Sequence, residues 1–486
     1  MDGTDKRART MLLIGVLATA AFACYLVMGL PLGIPGEWVW GRNRVPANLL
    51  PSLLAALLFL ALVWRLTRLE WRAMTPKERE PWLFLLVVLV FVLQLALINA
   101  VGAPWISPGS IVISPNATTY FALSMSIKDV HPWVAGYHDA MASLPYHART
   151  HPPGITLFFY GVRKLMAVAV PEDMLPFSTW AQEYRIFGLG PTSADAAAAV
   201  ASAFLIALLG ALSIVPIYLL SKELMPAQSA LRAAVLAGTI PALLLLSASP
   251  DLIVLTLTAT VLWLSYLAWK QARPWLAFTA GLVFALSAFF SLGVVAVGLW
   301  LALLAFVGAA RRPDRGAAVR AFLPLALTGF AGFALFYLGL HLVWGYQAVE
   351  VARQALFAHR DVTTVETART YWKWVLMNPV EFSVFAGLPL VIAARWAIPE
   401  LRRDSGRRGL NTFLIAFALT FILLDLSGTV RGEVGRIWLF LMWPLAMAAG
   451  PALDRPHRHG VFIIIVMLQV LQALLMRTHI TLYSVL

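Results

Sequence analysis

The chain has 486 residues, of which 60% are hydrophobic and only 13% are charged, and its mean hydropathy is +0.79. Soluble domains carry about 25% charged residues, so this composition excludes a chain of soluble domains and indicates a surface that faces lipid. The net charge of +13 does not indicate nucleic-acid binding, because the basic residues stand in short clusters between apolar runs. A single cysteine, Cys24, excludes an intramolecular disulfide and a cysteine-rich zinc site.

Thirteen apolar runs approach the roughly 20 residues that a membrane-spanning helix needs. The sequence therefore predicts an all-α integral membrane protein that forms one polytopic domain over 1–486, with residues 1–80 as a two-helix N-terminal extension. The predicted spans are 11–34, 47–66, 81–102, 193–220, 233–249, 252–269, 274–290, 292–309, 321–345, 379–396, 411–427, 437–453 and 460–478.

The basic residues predict the orientation of these spans. Most of the 37 lysines and arginines fall in alternate, mostly short connections, including 311–320 and 395–408. The positive-inside rule places those connections in the cytoplasm, together with the N-terminus, and places the C-terminus outside. A spanning helix at 153–170 would reverse every later connection, so this run is predicted to be an interfacial helix on the outer face.

Two long loops then face outward, one over 103–192 and one over 346–378. The first contains the strongest local signal, in which His147, Arg149 and His151 precede the rigid turn Pro152-Pro153-Gly154. If this turn lies at the membrane surface, the arginine and an imidazole are suited to bind the phosphate of a lipid headgroup. The alternative is a capped helix start with interfacial polar residues.

Other outer residues are candidates for chemistry with an acceptor. Asp129 and Asp139 are carboxylates of the first loop that would serve as a general base, or else are solvated loop residues. Upstream of them, Asn116 and Tyr120 form a short motif.

Charged residues also mark two later outer turns. Asp251 follows Ser249-Pro250 and either caps the next helix or faces an outer cavity. Arg431, Glu433 and Arg436 lie at the mouth of two strongly apolar runs, where an isolated charge is costly. They form a phosphate clamp or an internal ion pair.

These features together resemble the GT-C superfamily of integral-membrane glycosyltransferases, which includes the protein O-mannosyltransferases and the bacterial lipid A aminoarabinose transferases. The resemblance covers roughly 81–440 and is carried by three motifs. A large outer loop opens with a motif ending in Tyr120, the loop closes with the motif at 151–154, and a Ser-Pro-Asp motif stands at 249–251. The stretch 431–439 resembles a bacterial branch, which implies the bacterial inner membrane.

The resemblance implies an inverting transfer of sugar from a polyprenyl-phosphate donor to an extracytoplasmic acceptor, in contact with membrane lipids. By this resemblance, the lipid phosphate would be bound by Arg149, His151, Arg431 and Arg436. The base would be Asp139 or Asp129. Substrate would be positioned by Asn116, Tyr120, His147, Asp251 and Glu433. Some members use a divalent metal, although the sequence shows no strong ligand set.

One position departs from the family pattern. The catalytic aspartate usually stands four residues before the tyrosine, where this chain has Asn116, which cannot act as a base. Two other classes therefore stay open, namely a secondary transporter or flippase of lipid-linked saccharide and a non-catalytic relative that only binds the lipid donor.

Overall fold

The computed structural model describes residues 3–43, 47–366, 369–455 and 458–483. Within these ranges the protein is predominantly helical, and its few strands form two short antiparallel ribbons. The predicted all-α class is confirmed.

The helices fall into three groups along the chain. The first group is α1 (Gly3–Val27), α2 (Leu50–Arg68) and α3 (Pro76–Ile98). Short helices follow: α4 (Ile106–Ile113), α5 (Tyr120–Met125), α6 (Val130–Ala135), α7 (Tyr137–Ala140), α8 (Tyr146–Arg149), α9 (Gly154–Ala169) and α10 (Phe177–Glu183). The third group is α11 (Ser193–Leu212), α12 (Ile214–Leu224), α13 (Ala227–Gly238), α14 (Pro241–Leu245), α15 (Asp251–Gln271), α16 (Pro274–Phe290), α17 (Val295–Ala310), α18 (Arg315–Trp344), α19 (Ala348–Asp361), α20 (Tyr371–Ala386), α21 (Leu388–Arg403), α22 (Arg408–Ser427), α23 (Val434–Ile437), α24 (Pro444–Leu453) and α25 (His459–His479).

Nine helical segments of the described chain are long and apolar enough to cross a membrane, or up to ten if the bent pair α20–α21 is one span. The protein is thus a multi-pass membrane protein. The predicted count of thirteen is not confirmed. The run 379–396 falls on the pair α20–α21, whose two helices are bent by 103°. The run 274–290 corresponds to the 17-residue α16, which at 1.5 Å per residue is about 25 Å long and shorter than a typical bilayer core.

Two other predicted spans are interrupted by proline. The run 233–249 is divided between α13 and α14 before Pro241, and the run 437–453 is divided between α23, a 3₁₀ turn and α24 before Pro444. Proline has no backbone N–H and clashes with the preceding turn, so each helix restarts there. All residues of 228–250 are buried, which places α13 and α14 in the centre of the bundle rather than against lipid.

The connections at one end of the bundle are joined to one another. Strand β1 (Gly33–Ile34) pairs with β2 (Trp38–Val39), and β3 (Gly41–Arg42) pairs with β4 (Ile480–Thr481), which brings the first connection to the C-terminal end of the chain. This end carries the candidate site described below.

The opposite end is linked by a separate set of ion pairs between the connections predicted to be cytoplasmic. Arg72 lies 3.1 Å from Asp454, and Lys270 lies 2.7 Å from Glu223. The side of the membrane that each end faces remains a prediction from the basic residues.

Helix α9 determines where the turn before it lies. It packs against α11, and its Arg163 donates to Asp195 at 2.7 Å and also to the carbonyl of Ser124. Gly154, the first residue of α9, contacts the backbone carbonyl of Phe289 so closely that a side chain would collide with it. The turn carrying His151 is therefore held against the end of α16.

Candidate active site

A cavity of about 680 Å³ lies at the ribbon-bearing end of the bundle. Its wall is built from the turn at 147–151, the first residue of α15, the start of α17, the helix α19 and the segment 423–440. The ionisable residues of its wall are His147, His151, Asp251, His359, Arg360, Arg369, Arg431, Glu433 and Arg436. The structure thus brings together residues from the two long loops that are predicted to face outward and from both later turns.

A chain of alternating charges crosses the cavity. Arg369 lies 3.0 Å from one carboxylate oxygen of Glu433, and Arg436 lies 3.1 Å from the other. The Arg436 guanidinium also lies 3.9 Å from Asp251, whose carboxylate accepts a 2.5 Å hydrogen bond from the Ser249 hydroxyl. Arg436 therefore holds the two carboxylates of the cavity on either side of itself.

The backbone of Glu433 is strained. Its φ of 59° lies in the left-handed region, which disfavours residues other than glycine, and it directly follows Gly432 with φ of 88°. Such strain costs about 1–3 kcal/mol and persists where surrounding contacts enforce it. Burial would raise the pKa of Glu433, but the charges of Arg436 and Arg369 outweigh that effect and hold the pKa below its usual value. Glu433 is thus kept ionised between two arginines.

Arg369 and Arg431 form a reciprocal pair. Arg431 donates to the carbonyl of Arg369 at 2.6 Å and to that of Gly428 at 3.2 Å, while Arg369 donates to the carbonyl of Arg431. The Arg369 guanidinium also lies beside the rings of Trp38 and Trp374, 5.4 and 5.7 Å from their centroids. Arg431 is thus held in the cavity wall by backbone carbonyls. Unlike Arg369, it forms no ion pair with a carboxylate of the described residues.

The sequence interpretation did not name Arg369 or Glu37. Glu37 accepts hydrogen bonds at 2.7–2.8 Å from Thr370, Lys373 and Trp374, and so joins the first connection to the start of α20. Burial opposes ionisation of Glu37, but these hydrogen bonds prevail and lower its pKa to about 2. The only local signal was a cation beside an aromatic cluster at 369–374, and nothing in it indicates a partner more than 300 residues away.

The two histidines of the turn before α9 are neutral. Burial, followed by the charge of Arg436, lowers the pKa of His147 to about 4, and burial lowers the pKa of His151 to about 3. The Nδ1 of His151 lies 3.0 Å from the carbonyl of His147, which only accepts, so Nδ1 carries the proton and Nε2 is an acceptor. This tautomer suits a substrate hydroxyl better than it suits a phosphate.

Tyr120 and Asn116 lie outside the cavity wall. Tyr120 is buried, its hydroxyl donates to the carbonyl of His147 at 3.4 Å, and its ring packs edge-on against the ring of His151. Asn116 donates its backbone N–H to the Ser114 hydroxyl. Tyr120 therefore lies behind the histidines, whereas Asn116 is exposed.

The two carboxylates expected to act as the base lie elsewhere, and neither lines the cavity. Asp129 caps α6 by accepting the backbone N–H of His131 at 3.0 Å. The Asp139 side chain is 81% exposed and lies 3.3 Å from His138. Arg149, at the end of α8, is also not part of the wall. The carboxylates that the structure places at the cavity are Asp251 and Glu433.

The described residues include no group of three or more histidine, cysteine, aspartate or glutamate side chains arranged to hold a metal ion. The donor set in the cavity, two carboxylates already bonded to arginine or serine, does not fit a divalent cation. The four arginines and two carboxylates of the wall leave a formal excess of two positive charges. The cavity is therefore suited to an anion.

Comparison with protein-family models and with curated proteins finds no match to this chain.

The histidines predict a pH dependence of stability. The unfolded chain takes up protons on both imidazoles near pH 6.5, whereas the folded protein does so only near pH 4 and pH 3. The unfolded state therefore binds more protons in that window, so the free energy of unfolding decreases as the pH falls from 7 to 4, by up to about 1.4 kcal/mol per pH unit for each histidine. Thermal unfolding of the detergent-purified protein across this range measures the effect. The double variant His147→Gln/His151→Gln should lose less stability, and an equal loss would contradict the assignment.

Proposed function

We propose that the protein is a membrane glycosyltransferase that moves a sugar from a polyprenyl-phosphate donor to an acceptor at the outer face of the bacterial inner membrane. One observation carries the proposal: a cavity with a net positive polar end, two carboxylates and an apolar side stands at the end of a multi-span helix bundle. This combination suits an anionic lipid headgroup next to a group that accepts a proton.

The apolar side of the cavity supports a lipid ligand. It is formed by Val295 and Leu299 of α17, Leu423 of α22 and Leu356 of α19. Val295 is 64% exposed and Leu423 is 47% exposed, and both helices are long and apolar enough to span a membrane. A hydrocarbon chain would therefore leave the polar end across the exposed side chains at the cavity ends of α17 and α22.

The charges of the cavity suit the leaving group of this reaction. A polyprenyl-phosphate sugar is a phosphodiester with one negative charge, and cleavage of its sugar–oxygen bond leaves a monoester that approaches two charges. In the proposed step the acceptor oxygen attacks the anomeric carbon, and the bonding electrons leave with the phosphate. Arg431 and Arg436 stabilise the charge as it develops, and their fixed positions avoid reorganisation during the reaction.

Asp251 is the proposed base that takes the acceptor proton. It is the carboxylate of the cavity with the looser arginine contact, at 3.9 Å, whereas Glu433 is held by two arginines at 3.0 and 3.1 Å. Glu433 is thus assigned to orienting Arg369 and Arg436. His151, with Nε2 free of a proton, would accept a hydrogen bond from a sugar or acceptor hydroxyl.

A transporter of lipid-linked saccharide is the second candidate, and the bent pair α20–α21 favours it, because broken helices line the sites of many transporters. The two functions differ in outcome. In proteoliposomes supplied with a polyprenyl-phosphate sugar on one side, a transporter moves the intact lipid to the other leaflet, whereas the proposed enzyme releases polyprenyl phosphate in the presence of an acceptor glycoside.

The first test is binding of the phosphate headgroup. We expect polyprenyl phosphate to raise the thermal unfolding temperature of the purified protein, and polyprenol of the same chain length to have a much smaller effect. Arg431→Gln should weaken this binding about 10- to 100-fold, since a hydrogen bond to a charged group is worth about 1.5–3 kcal/mol.

The matched control is Arg353→Gln, which removes the same charge from an exposed position of α19 that does not line the cavity. This control should bind like the wild type. Equal stabilisation by polyprenol and polyprenyl phosphate would contradict the proposed function.

A further inference from the structure

One face of α20 lies under the loop that carries the charged residues of the cavity. The residues on this face recur at intervals of three and four, which places them on one stripe of a helix. They are Tyr371, Trp374, Asn378, Glu381 and Phe385.

Glycines of the loop allow its backbone to approach the aromatic residues of this stripe. A methyl group on Gly428 would lie 2.5 Å from the ring of Tyr371, and one on Gly432 would lie 2.8 Å from the ring of Trp374. A methyl group on Gly435 would collide with Phe385. The loop backbone is therefore in direct contact with α20 along the stripe.

Between these aromatic contacts, Asn378 binds the loop backbone in both directions. Its side-chain carbonyl accepts the N–H of Gly432 at 3.0 Å, and its amide group donates to the carbonyl of Val430 at 3.0 Å. The same amide group donates to Asp425 at the end of α22, also at 3.0 Å. Asn378 is buried, so these bonds replace contacts with water and bracket Arg431 on both sides.

Glu381 binds the loop one helical turn further along. Its Oε1 accepts the N–H of Gly435 at 2.9 Å, immediately before Arg436. The side chain is completely buried, and its Oε2 has no hydrogen-bond partner within the described part of the chain. The indole N–H of Trp40, which also has no strict hydrogen-bond partner within the described residues, lies near this carboxyl group. Even with that donor nearby, an ionised carboxylate without an ion pair would be costly in this apolar setting. A neutral carboxylic acid accepts the same bond at much lower cost.

We infer that Asn378 and Glu381 are positioning residues of the anion site, and that Glu381 acts as a neutral acid. They hold the backbone on either side of Arg431 and just before Arg436, and so determine where both guanidinium groups point. The role in anion binding rests on the proposed function, but the effect on the loop does not. A displacement of about 1 Å in a positioned group costs as much as 10²-fold in activity, so loss of these bonds should be visible.

The experiment compares Glu381→Ala with Glu381→Gln, because the amide oxygen of glutamine accepts the Gly435 N–H without any charge. Hydrogen–deuterium exchange of the loop 430–436 is the first measurement and needs no ligand. The loop should exchange faster in Glu381→Ala, and as slowly as the wild type in Glu381→Gln. Affinity for polyprenyl phosphate is the second measurement, and Glu381→Ala should weaken it about 10- to 100-fold while Glu381→Gln stays within about twofold of the wild type.

Gln94→Ala is the matched control. It removes another fully buried side-chain bond, from Gln94 to the carbonyl of Leu243, which does not touch the loop. This variant should lose thermal stability while the loop 430–436 exchanges as in the wild type.

The outcomes test the positioning role, the neutral state of Glu381 and the proposed function separately. Wild-type exchange of the loop in Glu381→Ala would overturn the positioning role, and fast exchange in Glu381→Gln would overturn the neutral acid. If the exchange results are as expected but wild-type protein does not prefer polyprenyl phosphate to polyprenol, the proposed function fails and the positioning of the loop stands.

Discussion

Asp251→Asn is expected to lower the rate of sugar transfer by about 10²- to 10⁴-fold, the range typical of losing a general base. Asparagine has nearly the same shape and still accepts the hydrogen bond from Ser249, but it does not take up the acceptor proton. Binding of polyprenyl phosphate should be kept or strengthened, because one negative charge leaves the cavity while Arg436 keeps its pair with Glu433. The measurement is release of polyprenyl phosphate from polyprenyl-phosphate mannose, glucose or arabinose with alkyl glycosides as acceptors.

Asp139→Asn and Asp129→Asn are the matched controls, since each makes the same chemical change at a carboxylate of the loop 103–192. Asp139 is exposed to solvent and Asp129 caps a short helix outside the cavity, so transfer should proceed at close to the wild-type rate in both. A large loss in either control together with normal transfer in Asp251→Asn would return the base to the first loop.

Arg436→Met is expected to lower the free energy of unfolding by about 3 kcal/mol, near the lower end of the cost of leaving a buried charge without its partner. The lower end applies because the side chains of Arg436 and Asp251 retain 21% and 29% exposure in the cavity. Glu433 keeps its second partner, Arg369, so the main cost falls on Asp251. Thermal unfolding in detergent at pH 7 measures the loss, and transfer activity should be absent.

The double variant Arg436→Met/Asp251→Asn makes this prediction specific. Neutralising Asp251 removes the unpaired charge, so the double variant should be more stable than Arg436→Met alone, while activity stays absent. The double-mutant cycle with Asp251→Asn gives the interaction energy of the pair. Additive losses would show that the 3.9 Å contact between Arg436 and Asp251 does not contribute to stability.

The individual residues of the candidate site could be predicted to different degrees. Arg431, Glu433 and Arg436 were chosen because isolated charges at the ends of apolar runs are costly. His147 and His151 were chosen because they precede a rigid turn, and Asp251 because it follows Ser249-Pro250 at a turn. The cavity wall includes all six. Asp129 and Asp139 were chosen by residue type alone. In the structure Asp129 caps a helix and Asp139 is exposed, and composition does not distinguish these positions from a cavity position.

Arg369, Asn378 and Glu381 were missed for a different reason. Each is defined by a partner that lies far away in the sequence: Arg369 pairs with Glu433, and Glu381 accepts the N–H of Gly435. By sequence, 371–378 belong to the second outer loop and 379–385 to a predicted span, so no pattern joins them. The stripe becomes apparent only once the glycine loop is packed against it.

What the amino-acid sequence determined is the general character of the molecule. Local hydropathy is a property of each run, so the all-helical, multi-pass character and the positions of nine spans followed directly from it. The packing of the helices decided two further points. It placed 233–249 in the centre of the bundle rather than against lipid, and it placed Asp251 and Glu433 beside the arginines. Those choices are made by contacts between distant segments, through proline breaks, close glycine contacts and ion pairs, and only the tertiary structure decided them.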